Sequence, residues 1–260
     1  MLALAALLTA PAASADSVCT VLADAGTGAV LVQQGICDER VPPASTFKIA
    51  ISLMGYDAGF LEDEHNPELP FKEGYADWRQ SWRADTDPSV WMRDSVVWYS
   101  QQVTLSLGVQ RFAGYAAAFG YGNADVSGDA GKDNGLTRAW LSSSLRISPL
   151  EQVGFLTRMV NGQLPVSHHA HVMTGAIMTA FPLPDGWTVR GKTGAGFAVA
   201  LNGKPVRDHP VGWFVGWAQK GERNIVFVRM TQYSKRQKLS PGFGARDQML
   251  ADLPALLEAL

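Results

Sequence analysis

The sequence lacks a charge imbalance. Its 22 Lys and Arg stand against 24 Asp and Glu, a net charge of −2, so the balance suggests no nucleic-acid partner. It also lacks an apolar run of the ~20 residues that a spanning helix needs. The first fifteen residues, MLALAALLTAPAASA, fall short of that length and end in small residues, with Ala13 and Ala15 in the A-x-A arrangement of an export signal. The basic flank usual in such signals is missing, since the first Lys or Arg of the chain is Arg40. Export, with a mature chain starting near Asp16, is the expectation. Cysteine is scarce: Cys19 and Cys37 are the only two, enough for one disulfide in an oxidising compartment. They flank TVLADAGTGAVLVQQGI, two β-prone runs around a glycine turn, which reads as a hairpin with both thiols near its open end. Register about the Asp24 to Gly28 turn does not set them directly opposite, so a bridge and two buried free thiols both stay open. Internal repeats and low-complexity segments are absent as well.

What is present is globular. A hydrophobic content of 47%, with 8 Trp and 11 Phe that need large apolar contacts, lets 260 residues bury a real core in one large or two small domains. After the hairpin, residues 45–59 are apolar on nearly every face, the pattern of a buried helix that Gly59 is placed to end. Residues 60–90 are rich in charge, Pro and Trp with little periodicity, and read as an irregular surface excursion. Helical patterns follow around 91–119 and 149–163, separated by the polar, glycine-rich YGNADVSGDAGKDNG. Beyond Pro184 the character changes to β-branched and aromatic runs, GWTVRGKTGAGFAVA, VGWFVGWAQK and RNIVFVRMTQY, expected as successive antiparallel strands. ARDQMLADLPALLEAL closes the chain as an amphipathic helix that Pro254 should cap or kink. The fold class is therefore α/β of the α+β type: one antiparallel sheet built from both chain ends, flanked by terminal helices, with a helical region inserted.

The strongest chemical signal is Ser45 and Lys48 in PPASTFKIAISLMGYDAG, where a proline-rich turn becomes an apolar helix. Positions three apart share a helix face, so the hydroxyl and the amine can meet across one turn. A serine in the first turn faces free backbone N–H groups and the positive end of the helix dipole, which suits a nucleophile beside an oxyanion site. A bare S-x-x-K is more often a capped helix with a surface lysine. Here Lys48 stands between Phe47 and Ile49 in the most apolar helix of the chain. Burial there disfavours the cation and favours the free amine.

Further motifs stand in order behind it: SVV at Ser95–Val97, YGN at Tyr121–Asn123, WLSSSLRISPLEQ at Trp140–Gln152 and KTG at Lys192–Gly194. With STFK at Ser45–Lys48, this set resembles the class D, oxacillinase-type serine β-lactamases over nearly the whole mature chain. The related S-x-x-K, S-D-N and K-T-G set belongs to class A β-lactamases and penicillin-binding proteins. The resemblance implies the penicillin-binding-protein and β-lactamase fold, hydrolysis of β-lactams such as penicillins through a serine acyl-enzyme, and resistance to them. It implies Ser45 as nucleophile and Lys48 as general base after carbamylation by CO2 or bicarbonate. An apolar pocket suits that modification because only the neutral amine adds CO2. By the same resemblance Trp140 holds the carbamate, Ser95 relays a proton to the leaving nitrogen, and Val97 and Leu141 border the carbamate pocket. Lys192, Thr193 and Gly194 meet the substrate, Ala195 completes an oxyanion hole with Ser45, and Arg246 binds the substrate carboxylate. For Ser95 an N-cap role after Asp94 is also compatible.

The implied organisation is a leader at 1–15, a sheet-containing part at 16–44 and 185–260, a helical part at 45–184, and the catalytic cleft between the two parts. The implied location is the periplasm of a Gram-negative bacterium, with small-molecule β-lactams as partners and no metal. HHAH at His168–His171 lacks the further ligands of a zinc site and reads as a loop or helix start. GTG at Gly26–Gly28 lacks the third glycine of a dinucleotide fingerprint. SKRQK at 234–238 and EDEH at 62–65 read as solvated charge. Two rivals share the motifs: a β-lactam sensor that acylates without turnover, and a cell-wall transpeptidase or carboxypeptidase. Sensors are joined to a membrane-spanning transducer, which this sequence lacks, and SVV and the tryptophan segment stand against the second.

Overall fold

The computed structural model describes residues 17–200, 203–235 and 238–260. The expected leader at 1–15 lies outside them. Six strands form one antiparallel sheet: β1 (Ser17–Asp24), β2 (Val30–Gln34), β3 (Ala180–Pro182), β4 (Thr188–Val199), β5 (Pro205–Lys220) and β6 (Arg223–Gln232), in the order β2-β1-β6-β5-β4-β3. β1 pairs with β6 along its whole length, from Ser17 opposite Gln232 to Asp24 opposite Ile225. The two chain ends are thus joined in one sheet, as the two separated β-rich stretches predict.

Alternation of side chains sends the central strands into two cores. Phe214, Ala218, Ile225 and Phe227 face α7 (Pro241–Glu258) and meet Ala245, Met249, Leu253 and Leu257. Trp213, Val215, Val226 and Val228 face the other way, into the cluster shared with the helical region. α7 continues past Pro254, so the proline does not cap it. Proline removes one i→i−4 bond, and the flanking Leu253 and Leu257, both buried on the sheet, hold the helix in place.

The inserted region holds α1 (Lys48–Asp57), α2 (Pro88–Asp94), α3 (Val97–Ala118), α4 (Gly135–Arg138), α5 (Pro149–Val160) and α6 (His168–Ala176). Local chemistry sets several of their starts. Asp87 Oδ1 accepts from Val90 N at 2.7 Å, with Pro88 as the first residue of α2. Ser148 and Glu151 form a reciprocal capping box at α5. Ser167 caps α6, so HHAH is a helix start, and His171 is spent on the carbonyls of Met159 and Leu164.

Residues 60–87 carry one short helical turn, Gln80–Trp82, and an isolated bridge from Leu69 to Thr86. A disulfide joins Cys19 and Cys37, whose Cα atoms are 5.3 Å apart. β2 ends at Gln34, and Gly35 then turns the chain with φ 80°, bringing Cys37 back to β1.

Candidate active site

Ser45 sits in a tight turn of 3₁₀ helix, Ala44–Phe47, that runs directly into α1. Ala44, immediately before it, has φ 49°. A non-glycine residue in this left-handed region costs roughly 1–2 kcal/mol and persists only where its surroundings impose it. Several contacts impose it here. Trp213 Nε1 donates to Pro42 O at 3.0 Å, Thr46 Oγ1 donates to Pro43 O at 2.8 Å, and Gln152 Nε2 donates to Thr46 Oγ1 at 2.9 Å. Ser45 is half-buried at the rim of this packed turn.

One turn further on, Lys48 is completely buried. Burial, reinforced by the positive charge of Lys192, pushes its amine well below the usual lysine range. Its Nζ has no hydrogen-bond partner among the described residues, and neither does Nε1 of the equally buried Trp140. Phe47 packs against Trp140, Tyr121 and Phe112 with centroids 6.0, 4.8 and 6.0 Å away, and Val97 belongs to the same buried cluster. Leaving a donor buried and unpaired costs ~1–3 kcal/mol. Lys48 Nζ, Trp140 Nε1 and Tyr121 Oη are thus buried polar atoms without partners among the described residues, in the apolar surroundings of Phe47.

Ser95 occupies the break between α2 and α3. The structure corrects its suggested role as an N-cap: Ser95 is the C-terminal cap of α2, with φ 61° and ψ 36°, and Val96 precedes α3. Lys192 Nζ donates to Ser95 Oγ at 3.1 Å and to Thr193 O at 3.1 Å. Lys192 is 3% exposed. Burial, then the positive charge of Arg79, pushes its amine down to about 7, against a smaller opposing pull from Asp94.

β4 lies against the Ser45 turn through Gly194. A Cβ there would come within 2.8 Å of Pro43 O and 3.0 Å of Thr46 Cγ2, so only glycine admits this approach. Ser45, Ser95, Thr193, Gly194 and Ala195 together line a cleft of about 360 Å³, closed on its other sides by Trp78, Arg79, Trp82, Ser240 and Phe243. Leu141 borders an adjoining cavity that shares Trp78 and Ala195. Arg246 is not among the residues lining the cleft; its Nε donates to Asp247 Oδ1 at 2.8 Å and its guanidinium stacks on Phe243.

Four contributors escape the sequence reading. Ser142, at φ 56°, accepts from Phe197 N at 2.9 Å and so anchors the Trp140 loop to β4. Gln152 braces the Ser45 turn. Arg79 and Trp82 come from the irregular excursion, where periodicity carries no signal. Among the described residues no group of three or more His, Cys, Asp or Glu is placed to hold a metal, and no helix is long and apolar enough to cross a membrane.

Over residues 18–253 the chain matches the penicillin binding protein transpeptidase domain. It is 45% identical over 240 residues to beta-lactamase OXA-9 of Klebsiella pneumoniae, covering 92% of this chain and 88% of that protein. It is 36% identical over 242 residues to beta-lactamase OXA-1 of Escherichia coli, covering 92% and 84%. Among solved structures, that of the class D beta-lactamase OXA-427 superposes with a TM-score of 0.88 at 48% identity, covering 93% of this chain and 99% of that one.

Proposed function

The chain belongs to the class D serine β-lactamases, and from that premise we propose that Ser45 is the nucleophile and Lys48, carried as its carbamate, the general base. The enzyme hydrolyses the β-lactam amide bond of penicillins and related antibiotics and so confers resistance to them.

Lys48 carries the proposal: a fully buried amine, one turn from Ser45, pushed toward its neutral form and without a partner. A carbamate on Nζ fits that environment, because the indole N–H of Trp140 is an orphaned donor in the same apolar cluster and Val97 helps seal it. Formed from CO2 or bicarbonate, the carbamate supplies an anionic base for both half-reactions.

Ser45 Oγ attacks the lactam carbonyl, the developing oxyanion being met by the backbone N–H groups of Ser45 and Ala195. As the C–N bond breaks, the lactam nitrogen takes a proton from Ser95 Oγ, which Lys192 Nζ replenishes through their hydrogen bond. Water then cleaves the ester, and Ser45 leaves as the hydroxyl. Thr193 and Gly194 line the substrate path, and Leu141 borders the route by which water enters. The cleft is read as lying between the sheet-containing part, 16–44 with 185–260, and the helical part, 45–184. Residues 1–15 are read as a leader for export to the periplasm of a Gram-negative bacterium.

Benzylpenicillin hydrolysis, followed with and without added bicarbonate, tests the proposal. Multiple turnover that rises with bicarbonate and vanishes in Ser45→Ala is the expected result. A stoichiometric acyl adduct without turnover would instead identify a receptor.

A further inference from the structure

Arg79 lies at the cleft in a stretch with no regular secondary structure, immediately before the Gln80–Trp82 turn. Its guanidinium carbon is 5.7 Å from the ring centroids of both Trp82 and Phe243, so it bridges that turn and the start of α7. Stacking on aromatic faces fixes a guanidinium while leaving its N–H edges free to donate. The neighbouring cations are differently placed. Arg93, which also lines the cleft, is clamped on Asp94 by bonds of 3.0 and 2.8 Å. Arg246 is held by Asp247 and lies outside the lining. Among the described residues no carboxylate stands within ion-pair distance of Arg79.

The charge of Arg79 is also strong enough at Lys192 to lower that amine, second only to burial. Arg79 is therefore an unpaired cation at the cleft, since the Asp94 carboxylate on the same lining is taken up by Arg93, and an entering anion would satisfy it. Thr193 and Ser240 bring hydroxyls to the same lining, and Gly242 and Phe243 belong to the first turn of the eighteen-residue α7. The helix dipole there favours negative charge.

We infer that Arg79, rather than Arg246, is the residue that binds the carboxylate next to the ring nitrogen of penicillins, aided by Thr193, Ser240 and the first turn of α7. The inference rests on the cleft being the β-lactam site and adds the determinant of substrate charge.

The test compares wild type, Arg79→Gln, Arg79→Lys and Arg246→Gln on benzylpenicillin and on its methyl ester, which masks the carboxylate. Arg79→Gln should raise KM for the acid by about tenfold or more with a smaller change in kcat, as loss of a charge-assisted bond predicts. KM for the ester should change little, Arg79→Lys should recover part of the loss, and Arg246→Gln should show no acid-selective change. An unchanged KM in Arg79→Gln, an equal rise for acid and ester, or an acid-selective loss in Arg246→Gln would overturn the inference. Should wild type acylate without turning over, hydrolysis by this site fails separately. The same acid-to-ester comparison is then read from acylation rates by mass spectrometry. Absence of acylation in wild type would overturn both.

Discussion

Lys192 Nζ donates a 3.1 Å hydrogen bond to Ser95 Oγ, linking strand β4 to the left-handed residue between α2 and α3. Ser95 ends α2 in a left-handed conformation, and its hydroxyl accepts from a buried amine on a different element. Ser95→Ala should therefore slow acylation by benzylpenicillin ~10²–10⁴-fold, the usual worth of a positioned proton donor. Stopped-flow quenching with intact-protein mass spectrometry would measure it. Acylation at the wild-type rate would exclude Ser95 from proton transfer.

Lys192 also makes stability depend on pH. Its pKa is about 7 in the folded protein against an ordinary 10.5, so between those values the unfolded chain holds a proton that the folded chain does not. Stability then rises with pH across that window, and the penalty is complete below 7. At ~1.4 kcal/mol per unit the penalty is on the order of a few kcal/mol, or ~5–10 °C in Tm for a chain of this size. Lys192→Met should thus melt above wild type at pH 6, with the gap narrowing toward pH 10, while hydrolysis is lost. Thermal melts across that range would check this, and a variant less stable than wild type at pH 6 would contradict it.

Gly194→Ala tests the approach of β4 to the nucleophile's turn. The added methyl meets a backbone carbonyl, Pro43 O, at 2.8 Å, which cannot rotate away. The turn and the strand must separate, pulling the N–H of Ser45 from that of Ala195. A loss of ~10²-fold in kcat/KM is expected, the scale of removing one oxyanion donor. Steady-state kinetics within twofold of wild type would show that this contact does not set the geometry.

Much of this was legible in the chain, for identifiable reasons. The strands from Thr188 to Gln232 announce themselves through β-branched and aromatic runs between turns, and STFK and KTG mark the two elements that meet at the cleft. Lys48 betrays its burial by its neighbours, Phe47 and Ile49. Other features depend on contacts that no local pattern encodes. The left-handed conformations of Ala44 and Ser95 follow from tertiary packing. The return of Arg79 and Trp82 over the cleft follows from how an aperiodic excursion folds. The pairing of Cys37 with Cys19 depends on the turn at Gly35, beyond the register of the hairpin itself.

The most direct test of the central claim is benzylpenicillin turnover by Lys48→Ala, measured beside the mass of the protein during the reaction. With the buried base removed, hydrolysis should stop, and any acyl-enzyme that forms should persist as a one-to-one adduct, with no recovery on adding bicarbonate. Sustained turnover by Lys48→Ala, with no accumulating adduct, would contradict a role for Lys48 as the base of this enzyme.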